Sequence, residues 1–304
     1  TLIHFFSKYE SDLDFENFIA SSLDISYQKV NNDTYLKIFD TNIVDTELKP
    51  ESFDTLTSDI ELNLEHEKFN FISGFTAYED LTKANNDRYQ YILPYYNFSK
   101  NFFEDSNFGS FDFVSQGDNI LKDTNSLRSR MINNLNIQSF NFISDKGFKN
   151  NLNYYLKNTI ATGKNNVEYD SNPEVKFSNI IEMQSSFPLV KIDENYSRYI
   201  SPKLSFRINP SSMKFYGDDK RKINSDNIFN INRLGLIDTL ESGQNLTLGI
   251  NYKKEKLNDI NKFFEAKLGT VLRGKENKDI PTSTTINKKK SNYFGKIKNN
   301  FNDN

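Results

Sequence analysis

The chain has 304 residues, of which 36% are hydrophobic, 26% charged and 14% aromatic, with a formal charge of −3 and no cysteine. No stretch approaches the roughly 18 to 20 consecutive apolar residues of a membrane-spanning helix, which excludes an α-helical membrane protein. The missing cysteine excludes zinc fingers, iron–sulfur sites, thiol catalysis and disulfide scaffolds, and the near-neutral charge gives no global reason to bind nucleic acid. Two biases remain: 42 Asn, which favour loop or disorder, and 27 Phe with 16 Tyr but no Trp, which do not.

Helical spacing fails almost everywhere, and alternation of apolar with polar residues takes its place. In the first fifty residues the signal is weak, with one strand suggested by Ile19, Leu23, Ile25 and Tyr27 and another by Leu36 and Ile38. Leu56, Ile60, Leu62 and Leu64 then share one face, with Asp59, Glu61, Asn63 and Glu65 on the other. After a turn around Glu67, Phe69, Phe71, Phe75 and Ala77 alternate with Asn70, Gly74 and Thr76, which completes a hairpin. Similar sets run from Tyr89 to Tyr95, Phe111 to Phe113, Met131 to Ile137, Leu152 to Ile160 and Val175 to Phe187. The last four run from Ile200 to Ile208, Leu246 to Tyr252, Phe264 to Leu272 and Tyr293 to Phe301.

This makes about a dozen strands, several of about 10 to 15 residues, long enough to cross a bilayer at a tilt. Pro94, Pro188 and Pro202 interrupt strand patterns and mark bulges or bends, because each removes a ladder donor.

Connection lengths alternate. The turns near Glu67, from Ser144 to Gly147, from Lys191 to Ser197 and from Lys254 to Asn261 are short. The links around Asn85 to Asp87, Gly117 to Arg128, Thr162 to Glu174, Pro210 to Gln244 and Gly274 to Ser291 are longer, and Lys100 to Gly109 is an intermediate case that spoils strict regularity. Outer-membrane barrels have this pattern of tight turns at one end and long loops at the other. A soluble antiparallel sandwich also alternates apolar and polar residues, but its strands are shorter and its loops need not alternate. The reading is therefore an all-β, antiparallel transmembrane β-barrel of up-and-down strands. In it Lys203, Arg207, Glu265 and Lys267 face a wet lumen while their apolar neighbours face lipid.

Four phrases carry a family resemblance. Arg88 to Lys100 is a strand with a central proline followed by alternating aromatics, and Tyr199 to Pro210 is a strand with Lys203 near its centre. Asn227 to Tyr252 holds Asn232, Arg233, Asp238, Glu241, Gly243 and Gly249, and Phe264 to Gly295 ends in Ser291-Asn292-Tyr293-Phe294-Gly295. In that order they resemble the barrel domain of the LptD family, the LPS-assembly or organic solvent tolerance proteins, over about two thirds of the chain. The sequence departs from the family pattern at Thr239, which follows Asp238 where an arginine is usual, and at Lys203, where arginine is common.

The chain begins without a basic-apolar signal peptide and ends at Asp303-Asn304 without a terminal aromatic strand. Residues 1–304 thus read as a partial barrel from the middle of a longer protein, with the family's periplasmic jellyroll and the closing strands absent.

The resemblance implies an outer-membrane translocon component that inserts lipopolysaccharide into the outer leaflet. Its implied partners are lipopolysaccharide, an LptE-type plug lipoprotein, a periplasmic LptA-type bridge reaching it through the jellyroll, and the barrel-assembly machinery. No cofactor or metal is implied. Other readings are a porin or a TonB-dependent receptor, and, from another class, an Asn-rich secreted or surface adhesin.

Catalysis has little support, since His4 and His66 are the only histidines and carboxylates such as Glu61 and Glu65 read as a solvated face. Lys288 to Lys290 read as a solvated loop, which the barrel makes extracellular. Asn232, Arg233, Asp238, Glu241 and Gly243 form the loop-borne polar group of the family match. Either they shape a loop that folds over or into the lumen, or they form a buried salt bridge that holds the loop down.

Overall fold

The computed structural model describes residues 3–39, 43–44, 46–105 and 107–301, so Asp303 and Asn304 lie outside the described residues. Its strands are β1 (His4–Asp12), β2 (Ala20–Val30), β3 (Thr55–His66), β4 (Phe69–Asp80), β5 (Tyr89–Asp105), β6 (Gly109–Lys122), β7 (Ser126–Gln138) and β8 (Phe142–Ile143). They continue with β9 (Lys149–Lys164), β10 (Glu174–Ser186), β11 (Leu189–Ile192), β12 (Tyr196–Asn209), β13 (Gly243–Lys256), β14 (Asp259–Arg273) and β15 (Phe294–Asn299). Hydrogen-bonded neighbours follow chain order, with short β8 and β11 pairing β9 and β12 off the main path, and β1 and β15 stand at its two ends. This is an all-β, up-and-down antiparallel sheet. Among the described residues no helix is long and apolar enough to cross a membrane.

The chain divides into two compact units. In the first (Thr1–Phe102, Asp112–Asn134, Asn158–Lys176), Tyr9, Ile25, Ile60 and Phe75 lie in register across β1 to β4. The adjacent row, Lys8, Ser26, Asp59 and Thr76, belongs to the opposite face. In the second unit (Phe103–Phe111, Leu135–Lys157, Phe177–Asn304), Met183, Phe206, Leu246 and Leu272 form a row across β10, β12, β13 and β14. The next row is Glu182, Arg207, Asn245 and Arg273.

In the second unit burial is inverted between the neighbouring rows: Met183 and Phe206 are 43% and 42% exposed, whereas Glu182 and Arg207 are 0% and 2% exposed. A soluble sheet buries its apolar face, because burying apolar surface is what stabilises it. A sheet that presents its apolar face outward and covers its charges requires an apolar surrounding, as a barrel wall in lipid does.

Three expectations change. Leu36 and Ile38 belong to a short helix, α1 (Tyr35–Phe39), rather than a strand. The Asn32 side-chain oxygen accepts hydrogen bonds from the Thr34 backbone N–H and hydroxyl, and Leu36 packs with Val30, Leu56 and Leu81. A local turn and tertiary burial thus override the two-residue alternation. β1 was not expected, because adjacent Phe5 and Phe6 blur its pattern.

The loop expected from Gly117 to Arg128 is a three-residue turn at 123–125, with Asp123 and Thr124 at φ 49° and 58°. Its polar residues belong to strands, where Asp118 accepts hydrogen bonds from Arg128 at 3.0 Å and Arg130 at 2.6 Å. β5 runs on to Asp105 and β6 starts at Gly109, which shortens the link expected from Lys100 to Gly109 and makes that end more regular. The alternation in length survives with the 123–125 turn as its exception.

The prolines sit at irregularities. Pro94 lies opposite a register shift between Gly74 and Thr76. Pro188 falls in the break between β10 and β11, and the Pro202 carbonyl accepts the Phe187 N–H on that same side.

Candidate functional site

The long connection 210–242 does not stay extended. Residues 211–242 fold through successive turns against the polar face of β12, β13 and β14, and Ile223, Ile228, Leu234 and Leu236 join Met213, Val271, Ile280 and Ile286 in one apolar cluster. The second long loop, 274–293, supplies Ile280 and Ile286, and the Tyr216 N–H donates to the Asp279 carbonyl while the Thr282 N–H donates to that of Gly217. The two loops are therefore one small folded body with its own core.

Its seat is cut into the sheet. Gly249 and Gly269 face each other across β13 and β14. A Cβ on Gly249 would lie 2.7 Å from the Phe229 ring, and one on Gly269 would lie 3.3 Å from Ile228. Two residues without side chains make the depression that receives two large apolar ones.

Around the seat lies a buried charged network. The Arg233 Nε and Nη2 donate to the two Glu241 carboxylate oxygens, each at 2.7 Å. Its remaining N–H groups reach the Ile228 carbonyl at 3.2 Å, Thr247 Oγ1 at 2.8 Å and Asn245 Oδ1 at 3.1 Å. All five guanidinium donors are thus satisfied in a fork geometry that only arginine offers. Glu241 also accepts from Arg273 Nη1 and, at 3.2 Å, from Asn245 Nδ2.

On the neighbouring strands Arg207 Nε donates to Glu182 at 2.5 Å, and its Nη2 reaches the Phe229 carbonyl at 2.7 Å. Ser205, Gln184 and Asn153 complete the Glu182 shell at 2.6, 2.9 and 3.0 Å. Burial on its own pushes the Glu241 carboxyl up, but the charges of Arg233, Arg273 and Arg207 and the hydrogen bond from Arg233 hold it at about 2.

Of the residues singled out in the sequence, Arg233 and Glu241 form the centre of this network, and Arg207 anchors the loop from β12. Gly243 adopts φ +88°, and a Cβ there would lie 3.0 Å from Arg273 Nη2, so glycine suits both the turn and the approach. Asn232 closes a turn by accepting the Leu236 N–H at 3.0 Å and donating to its carbonyl at 2.8 Å. Asp238 stands apart, paired with Lys214 at 2.9 Å and Tyr216 at 2.5 Å.

Lys203 lies 6.0 Å from the Phe229 ring centroid. Farther along β14, Lys267 contacts Glu265 at 3.3 Å and Asp226, at the loop tip, at 2.9 Å, and Lys296 of β15 also bonds Asp226. Hydrogen bonds from Lys296 and Lys267 hold the Asp226 carboxyl at about 2.

Glu182, Asn245 and Arg273 were not singled out in the sequence. Their signal was parity: each is a polar residue on the strand face opposite the apolar row, close to the end that bears the long loop.

The histidines are structural. His4 Nδ1 lies 2.6 Å from the Tyr35 hydroxyl, and His66 Nδ1 accepts the Lys68 N–H at 3.1 Å in the β3–β4 turn. Lys288, Lys289 and Lys290 are exposed, while the Lys289 carbonyl accepts the Arg273 N–H.

The arrangement contains a polar wall, a folded loop docked on it through charge and packing, and an apolar face on the other side. Among families of known proteins, the one described as LptD, LPS transport system D, matches residues 5–304. No curated protein matches the chain.

Proposed function

The chain belongs to the LptD family of outer-membrane LPS transport proteins, and from that premise we propose that it forms wall and lid of a translocon that delivers LPS to the outer leaflet. The family is one of transport and assembly rather than of enzymes. The observation that carries the reading is the inverted sheet, with its apolar rows outward and its charged rows covered. Such a wall separates two solvents at once: lipid suits acyl chains on one side, and a polar path suits saccharide on the other.

In this reading Lys203, Arg207, Glu265 and Lys267 face the lumen, and the tight turns lie at the periplasmic end, with the long loops outside. The body made by 210–242 and 274–293 then covers the outer end of the polar path. β1 and β15 stand at the ends of the strand order, and unpaired strand edges are costly in lipid, so further strands of a longer protein complete the wall. An LptE-type lipoprotein inside the lumen, an LptA-type bridge on the periplasmic side and the barrel-assembly machinery are the partners this architecture would use.

The test is depletion of the protein in cells, followed by labelling of LPS at the cell surface. The expected result is loss of surface LPS with accumulation inside, reversed by re-expression. Normal surface LPS after depletion would remove the proposal.

A further inference from the structure

A cavity of about 300 Å³ opens on the polar face of the second unit, between β9, β10 and β12 and beside Phe229 of the docked loop. Its lining includes Lys149, Lys203, Asn151, Gln184, Tyr199 and Phe229, and contains no Asp or Glu. In one cavity of the first unit, Lys8 and Lys49 share the lining with Asp24, Glu47, Glu51 and Asp59, and Lys8 is paired with both Glu10 and Glu47. Lys149 and Lys203 have no carboxylate partner among the described residues.

We propose that this cavity is a subsite for an anionic saccharide, a sugar segment that bears phosphate or carboxylate. Two ammonium groups supply point charges for the anion. Asn151 carries both a donor and an acceptor and Gln184 presents its acceptor oxygen, which match sugar hydroxyls. Gln184 is fixed by donating to Glu182 at 2.9 Å and to the Phe229 carbonyl at 3.4 Å. Tyr199 and Phe229 offer apolar ring surface for the C–H face of a pyranose. The volume lies at the lower end for a ligand site, so it takes a short segment rather than a whole chain. Because Phe229 belongs to the docked loop, the subsite exists only while that loop is seated.

This inference rests on the LPS reading above and names what the path recognises. The test uses the full chain purified in detergent and titrates three probes: de-acylated phosphorylated core oligosaccharide, the same oligosaccharide after dephosphorylation, and inorganic phosphate. The expected result is that Lys149→Gln with Lys203→Gln lowers affinity for the phosphorylated sugar at least tenfold and leaves weak binding of the dephosphorylated sugar unchanged. Lys203→Arg should retain binding, and unchanged amide exchange in the 226–236 loop shows that the variants fold. Equal affinity in wild type and double variant overturns the subsite, as does displacement of the sugar by equimolar inorganic phosphate. Unchanged sugar affinity together with loss of surface LPS on depletion would remove the subsite alone, whereas normal surface LPS on depletion would remove the reading beneath it.

Discussion

Glu241→Gln isolates the energy that holds the loop to the wall. The substitution keeps the shape of the side chain but removes the charge that Arg233 and Arg273 share, leaving two guanidinium groups, 3% and 6% exposed, without it. Removing one member of a buried pair costs roughly 3 to 5 kcal/mol. The carboxyl itself gives a similar figure, since its fall from an ordinary 4.5 to about 2 corresponds to about 3 kcal/mol. Seated and unseated loop populations should then shift by about two to three and a half orders of magnitude.

Hydrogen exchange of the amides from 228 to 240, followed in detergent at neutral pH, reads this directly. The sign of the pH dependence follows from the same carboxyl. Its value in the folded chain lies below 4.5, so the stabilisation is complete above that pH and fades as pH falls toward 2. Exchange in Glu241→Gln within threefold of wild type would refute the assignment of the network as the anchor.

Three further outcomes are expected. Gly249→Ala places a methyl group against the Phe229 ring and should weaken loop docking by about 1 to 3 kcal/mol, with Phe229→Ala restoring exchange protection in a double variant. Asp226→Asn removes the exposed strap to Lys267 and Lys296, so exchange at the loop tip should rise modestly, and molar salt should erase the difference from wild type. Phe206→Arg puts a charge in the outward row and should cost about 2 to 4 kcal/mol in lipid vesicles if that row lies near the bilayer midplane, measured by denaturant titration of the folded chain.

Strand parity was legible in the sequence because alternation is a local, period-two signal. From Leu56 onward it located the strands and separated Arg207 from Phe206 on opposite faces. It failed where local signals conflict or vanish: at Leu36, which a turn and burial made helical, and in the loop expected from Gly117 to Arg128, most of which is strand.

The loop core was harder to see. Ile223, Ile228, Leu234 and Leu236 follow no helix or strand period, because their burial comes from turns folded against a second loop. The family motif nevertheless pointed to Arg233 and Glu241. Arg273, the second partner of Glu241, and the Glu182–Arg207 pair beside them lie on other strands, and only the ladder register brings them to the loop.

That register gives the network a role in assembly. Its members come from β10, β12, β13, β14 and the connection between β12 and β13, so the loop meets its full set of partners only after four strands have paired. Sliding β10, β12 or β14 by a single residue would turn Glu182, Arg207 or Arg273 toward lipid, and sliding β13 would take Asn245 and Thr247 away from Arg233. A misaligned wall would thereby be left with a loop short of its partners.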